Sequence, residues 1–168
     1  MEFSRLACVA LAAFVASACD SSSTNPKLCG TFSTSLAVKD RMSQAATIFN
    51  PNEPITFELA ITNTANAPAT LTASSSCTAV VFEVHDSAQR RLWGSADGIA
   101  CIAMLQPRTY APFETVNHAA TWDQRSSGAA VPPGTYAVTA DVGQYVSDSG
   151  GLINCRATLS KSATFRIQ

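Results

Sequence analysis

Six cysteines and two histidines are the residues in this 168-residue chain best suited to reactive chemistry. His85 sits beside Asp86, and His118 lines up with Val116 and Trp122 in an alternating run. Neither comes with the sharp glycine-flanked turn that presents a nucleophilic serine to a histidine base. HExxH, Walker and dinucleotide fingerprints are absent. No catalytic residue and no cofactor site is expected, and the chain reads as a non-enzyme. Cys29, Cys77, Cys101 and Cys155 are spaced by 48, 24 and 54 residues and form no CxxC. Those spacings match neither a zinc module nor a thioredoxin-like redox pair, so no metal is expected. The other two cysteines, Cys8 and Cys19, lie near the N-terminus.

That N-terminus reads as an export signal. Arg5 precedes an apolar run from Leu6 to Ala18, long enough for a signal-peptide core and too short for a membrane span. Ala16, Ser17 and Ala18 lead directly into Cys19, which resembles the lipobox of bacterial lipoproteins, where the cysteine is lipidated and becomes the first residue. Residues 1–18 are then the signal, residues 19–28 the lipidated cysteine with a flexible tether, and residues 29–168 the folded domain. The aspartate after the cysteine, Asp20, resembles the signal that retains lipoproteins in the inner membrane of enteric bacteria. Two or three acyl chains hold a protein stably where one holds it marginally. The polar stretch DSSSTNPK reads as the tether, with Pro26 opposing regular structure, and at about 3.5 Å per residue it lifts the domain by up to roughly 25 Å. An exported chain meets an oxidising compartment, so the four remaining cysteines are expected to form two disulfides, with three pairings open.

A composition of 46% hydrophobic and 14% charged residues supports one domain with a substantial core. The net charge of −1 is spread without a basic run, which argues against a nucleic-acid partner.

The elements that must position these residues are strands. In ITFELAITN, Ile55, Phe57, Leu59 and Ile61 point one way while Thr56, Glu58, Ala60 and Thr62 point the other, the period of a half-buried strand. NTANAP is read as a turn that hairpins this strand to a short partner at residues 69–73. Val80, Phe82 and Val84 alternate inward in the next strand, with Val81, Glu83 and His85 outward, and residues 86–89 turn the chain into a strand at 91–93. Leu36 with Val38 marks a first strand. Residues 101–105 are read as a strand that gives way to irregular chain before Pro107 and Pro112. Further runs place Val116, His118, Ala120 and Trp122 on one face, Tyr136, Val138, Ala140 and Val142 on another, and Ala163, Phe165 and Ile167 on a third. Residues 148–151 read as a flexible loop. Such short strands, with no convincing helix, predict an all-β fold, an antiparallel β-sandwich of about seven to nine strands.

Three stretches, ITNTANAPATLT, VVFEVHDSAQRRLW and above all TWDQRSSGAAVPPGTYAV, resemble the BsuPI family of intracellular proteinase inhibitors. The resemblance implies an immunoglobulin-like sandwich. Where that family has P-G-E this chain has Pro112, Phe113 and Glu114, so a different loop is expected there. Trp122 is expected in the core, Asp123 and Arg125 as stabilisers of the following turn, and Tyr136 as a buried ring whose hydroxyl bonds backbone, as in a tyrosine corner. Along the resembling strands Cys77 precedes VVFEV and Cys101 lies in the segment that neighbours it, which implies pairing Cys77 with Cys101. Cys29 with Cys155 then ties the N-terminal strand to the last one. Each bridge would add about 3 to 4 kcal/mol.

Two functions fit. One is a lipid-anchored envelope module, non-catalytic, whose loops or edge strand contact another protein. The other is an extracytoplasmic proteinase inhibitor, with residues 126–131 or 97–103 as the contact loop. The expected address is a bacterial membrane reached through Cys19, and the expected partner is a protein, a protease on the second reading.

Overall fold

The computed structural model describes residues 26–77, 79–148 and 151–168. The signal, Cys19 and most of the tether lie outside them. In chain order the elements are α1 (Pro26–Cys29), β1 (Phe32–Lys39), β2 (Ile48–Phe49), β3 (Ile55–Asn63), β4 (Ala69–Ser75), β5 (Val80–Asp86), β6 (Arg91–Gly94), β7 (Ala103–Tyr110), β8 (Thr115–Trp122), β9 (Arg125–Ser126), β10 (Ala129–Ala130), β11 (Gly134–Val142), β12 (Gln144–Asp148), β13 (Gly151–Asn154), α2 (Arg156–Leu159) and β14 (Lys161–Ile167).

The alternation of β3 buries Ile55, Phe57, Leu59 and Ile61 completely and leaves Thr56, Glu58, Ala60 and Thr62 partly exposed. Strand β3 is the middle of a three-stranded antiparallel sheet in the order β1-β3-β8. Facing it are two sheets, β2-β14-β11-β5-β6 and β13-β12-β4-β7. These two continue one another, because β11 and β12 are separated by Gly143 alone. Val142 pairs with Val80 on β5, and two residues later Gln144 pairs with Ala73 on β4. The ladder therefore passes from β5 to β4 while the residues between them loop out. On the other flank β14 and β13 line the same two halves, with α2 filling the gap. The result is the predicted antiparallel sandwich, three strands packed against four composite ones with the short β2 added beside β14. Among the described residues the one parallel pairing is that of β2 with β14.

Aromatic rings knit the layers together. Phe57 lies 6.3 Å from Phe82, 6.0 Å from Trp93 and 5.7 Å from Phe165 between ring centres. Trp122 meets Tyr136 edge-on at 6.0 Å, and Phe32 meets Tyr110 at 5.3 Å. Each such pair is worth about 0.5–1.5 kcal/mol beyond the area it buries.

Several expectations are corrected. Strand β4 is not the hairpin partner of β3: NTANAP carries the chain across to the other sheet. Asn63 drives the crossing, since its buried amide donates to the carbonyls of Ala67 (2.9 Å) and Ala111 (3.0 Å) and its oxygen accepts from the Ala65 N–H. Strand β7 does not stop at residue 105 but runs through Pro107 to Tyr110. It is the edge of its sheet, where a missing N–H costs no ladder bond. Pro26 does not oppose regular structure; it opens α1, the first helical position being the one that proline favours. The stretch read as a loop at 148–151 is flanked by two strands, β12 and β13, that went unpredicted; residues 149–150 lie outside the described residues.

Candidate functional site

The two histidines are not brought together. His85 is on the outer face of β5, and His118 is on the inner face of β8 in the opposing sheet. Among the described residues no hydroxyl or thiol is hydrogen-bonded to either, and no three His, Cys, Asp or Glu side chains gather as metal ligands. Burial holds His118 below its ordinary pKa, and the nearby Arg108 charge adds to the effect. A surface depression of about 570 Å³ is bordered by Asp141, Arg156 and Ser160. Its charges already satisfy one another, Arg156 pairing with Asp141 and the Ser160 hydroxyl donating to the same carboxylate.

Disulfides join Cys29 to Cys155 and Cys77 to Cys101, with Cα separations of 5.4 and 5.2 Å. The first staples α1 to the start of α2. The second reaches into the 97–103 loop, every residue of which is exposed.

That loop is gripped at both ends. At its start, Arg91 donates to Glu83 and to Asp97, and the second Asp97 oxygen accepts the Gly94 N–H at 2.8 Å. The Arg91 guanidinium holds the Asp97 carboxyl below the usual carboxylate range. A Cβ at residue 94 would run into that guanidinium and push it off its present position. At the loop's end, Cys101 is bonded to Cys77, the Ser76 N–H donates to the Ile102 carbonyl (3.0 Å), and the Ile102 N–H donates to the Ser76 hydroxyl (2.9 Å). Between and just beyond these grips Ile99 (52% exposed), Ile102 (64%) and Leu105 (59%) face solvent.

The 126–131 loop is built differently. Strands β9 and β10 form a two-residue hairpin whose tip residues, Ser127 and Gly128, both have positive φ, 50° and 84°. This is the geometry of a type I′ turn, which glycine favours at the second position. Arg125 donates to the Gly128 carbonyl (2.9 Å) and accepts, at its own carbonyl, the Trp122 indole N–H (2.8 Å). Asp123 accepts the Arg125 N–H, so both residues stabilise the turn. Beneath, the Tyr136 hydroxyl donates to the Pro132 carbonyl, closing the tyrosine corner.

Gln124 went unpredicted. It is 1% exposed, and its amide donates to the carbonyls of Asn50 and Glu53 (both 2.8 Å) while its oxygen accepts the Asn52 N–H (2.8 Å). It straps the 50–54 turn to the base of the hairpin. A glutamine between Asp123 and Arg125 reads as one more turn residue, so the sequence carries no signal for the strap. The loop at Pro112 also departs from expectation. Phe113 keeps a left-handed backbone, φ 61°, at the position a glycine would favour, and Glu114 N–H still closes the turn on the Ala111 carbonyl.

No curated protein matches the chain. Among solved structures it is similar to the alkylpurine DNA glycosylase AlkC of Pseudomonas fluorescens bound to DNA containing an abasic site analog, at 15% identity and a TM-score of 0.44 over 82% of this chain and 30% of that one. It is similar to the C-terminal domain of wzt at 7% identity and a TM-score of 0.45, over 80% of this chain and 73% of that one. A third similarity is to the β-glucosidase EmGH1 of Erythrobacter marinus, at 14% identity and a TM-score of 0.43 over 82% of this chain and 16% of that one. The chain thus spans under a third of the glycosylase and about a sixth of the glucosidase. A family model described as intracellular proteinase inhibitor, BsuPI, matches residues 42–144. The match takes in the gripped loop, its Cys77–Cys101 bridge and the type I′ hairpin, and over more than half of its length the chain belongs to the BsuPI family.

Proposed function

We propose that this chain is an exported, non-catalytic envelope lipoprotein whose sandwich presents the 97–103 loop to a protein partner, with a protease the partner its family favours. The observation that carries this reading is the loop itself: exposed apolar side chains on a backbone gripped at both ends. A loop ordered before binding loses little entropy on docking, which is the physical requirement for a tight inhibitor. Lipidation of Cys19 and anchorage through the polar tether belong to the same proposal. Two disulfides fit folding in an oxidising compartment, in contrast with the family's intracellular description.

The test is titration of a panel of serine proteases with the soluble domain. Inhibition that Ile102→Asp weakens by roughly thirtyfold or more, the weight of a buried hot spot, is the expected outcome. Absence of inhibition at micromolar concentrations removes the protease and leaves a binding module whose partner is sought by pull-down from membranes. The anchor has a separate test: a Cys19→Ala chain that still takes up labelled palmitate refutes lipidation at that residue.

A further inference from the structure

Strand β8 ends the three-stranded sheet, and its free side is open. The Asn63 N–H donates to the Glu114 carbonyl at 3.0 Å, in register with the β3–β8 ladder. Antiparallel pairs alternate between bonded and unbonded, so Val116, His118, Ala120 and Trp122 turn their backbone groups toward β3. Thr115, Asn117, Ala119 and Thr121 turn theirs outward. All four residues are exposed, and among the described residues no hydrogen bond reaches their N–H or C=O groups.

Other edges of the sandwich are blunted. Strand β7 contains Pro107 and a register shift, β6 and β13 are four residues long, and β1 is fastened to the neighbouring layer where the Thr34 hydroxyl donates to the Leu159 carbonyl. Strand β8 is eight residues long, regular in register, and without proline, lysine, arginine or acid. Proteins ordinarily protect such an edge against pairing. Across from the open side, the inner face of β7 is uncovered. Tyr110 is buried there, while Arg108, two residues back on the same face, is exposed with its guanidinium 5.4 Å from the Tyr110 ring centre. Among the described residues its one carboxylate contact is Glu114 at 3.4 Å.

We propose that an extended strand of another protein, bearing a carboxylate on the face turned toward Arg108, adds to β8 as the fourth strand of this sheet. A strand supplies the alternating acceptors and donors that the four outward residues need. A second copy of this chain fits poorly. The fullest antiparallel self-pairing of the outward residues sets Thr115 against Thr121, which puts His118 against its own counterpart with an Arg108 beside each. Two cations then face one another with no added acid between them.

The test uses the full chain, immobilised, and a phage-displayed library of random eight-residue peptides, the length of β8. Enriched peptides are expected to alternate apolar and polar residues around an aspartate or glutamate, and to protect the amides of Thr115, Asn117, Ala119 and Thr121 from hydrogen exchange. Ala119→Pro deletes one outward N–H at a position where no ladder bond is lost. It should weaken their binding roughly tenfold, as should Arg108→Glu. Should the proline variant fail to fold, N-methylation of alternate peptide amides makes the same cut from the other side. Enrichment no better than on bare support, binding indifferent to both variants and to N-methylation, or protection elsewhere would overturn the proposal. So would a dimer of the chain alone that Ala119→Pro dissolves, since the edge would then belong to a second copy.

Discussion

The two exposed loops at 97–103 and 126–131 are held by opposite means. The first is gripped from outside: by a disulfide to Cys77, by an arginine on β6, by a serine on the segment before β5. Its last residue, Ala103, pairs with Ser75 at the start of β7, the rest joins no ladder among the described residues, and Ile99, Ala100 and Ile102 expose aliphatic side chains. The second is held from within, by a tight hairpin and an arginine that reaches only three residues along. Its residues are serine, glycine and alanine up to Ala130, and Val131 packs against the core. A loop ordered by its neighbours keeps its side chains for a partner, whereas a loop ordered by its own turn has used its backbone and carries little to offer. Exposure alone does not separate the two; the origin of their order does.

Breaking the outside grip has the largest expected effect. Cys77→Ser with Cys101→Ser removes a cross-link over a separation of 24 residues and should cost about 3 kcal/mol in urea unfolding. Amide exchange should quicken at residues 98–103 and stay unchanged at Ala129 and Ala130. Equal acceleration in both loops would mean that the bridge stabilises the domain globally and does not order the loop in particular.

Next in size is the inside grip. Gly128→Val forces a β-branched side chain to φ 84° and should cost about 1–2 kcal/mol, with chemical-shift changes confined to the hairpin and the Trp122 indole. Binding through the 97–103 loop should be untouched. A smaller effect of opposite sign is expected at a third loop. Phe113 is 65% exposed at φ 61°, so Phe113→Gly relieves backbone strain while losing little burial. It should stabilise the domain by about 0.5–1 kcal/mol after glycine's entropy cost is subtracted. A thermal shift in either direction is easily measured, and destabilisation would mean that the Phe113 ring has a packing role.

The alternation of β3, β5, β8 and β11 made the sandwich and its core legible, because a side chain's face follows from counting by two. What counting cannot show is which strand lies beside which. The 69–73 strand follows β3 closely in sequence, yet a single buried Asn63 amide, bonded to residues 67 and 111, sends it to the other sheet. Proline in β7 read as a break because its tolerance depends on being at an edge, a property of the assembled sheet. The two contact loops were legible as exposed punctuation, and the grips that distinguish them were not. Arg91 meets Asp97, and Gln124 meets the 50–54 turn, only once the sheets have formed.

The smallest effect separates the parts of the outside grip from one another. Asp97 titrates and the disulfide does not, so acid should release one end of the 97–103 loop and leave the other fixed. The folded-state pKa of Asp97 lies below its ordinary value, chiefly through the Arg91 hydrogen bond. The contribution is therefore complete above the unfolded value of about 3.9 and is lost as pH falls through the lower, folded value. An exposed pair of this kind is worth at most about 1 kcal/mol. Asp97→Asn should lower stability by no more than that at pH 7, and the difference from the parent chain should shrink below about pH 4. Hydrogen exchange over the same range should loosen Gly98 and Ile99 while Ile102, bonded to Ser76 beside the disulfide, stays slow. If Ile102 loosens together with Gly98, the arginine and the disulfide act as one clamp, and the loop is ordered as a unit instead of from two independent ends.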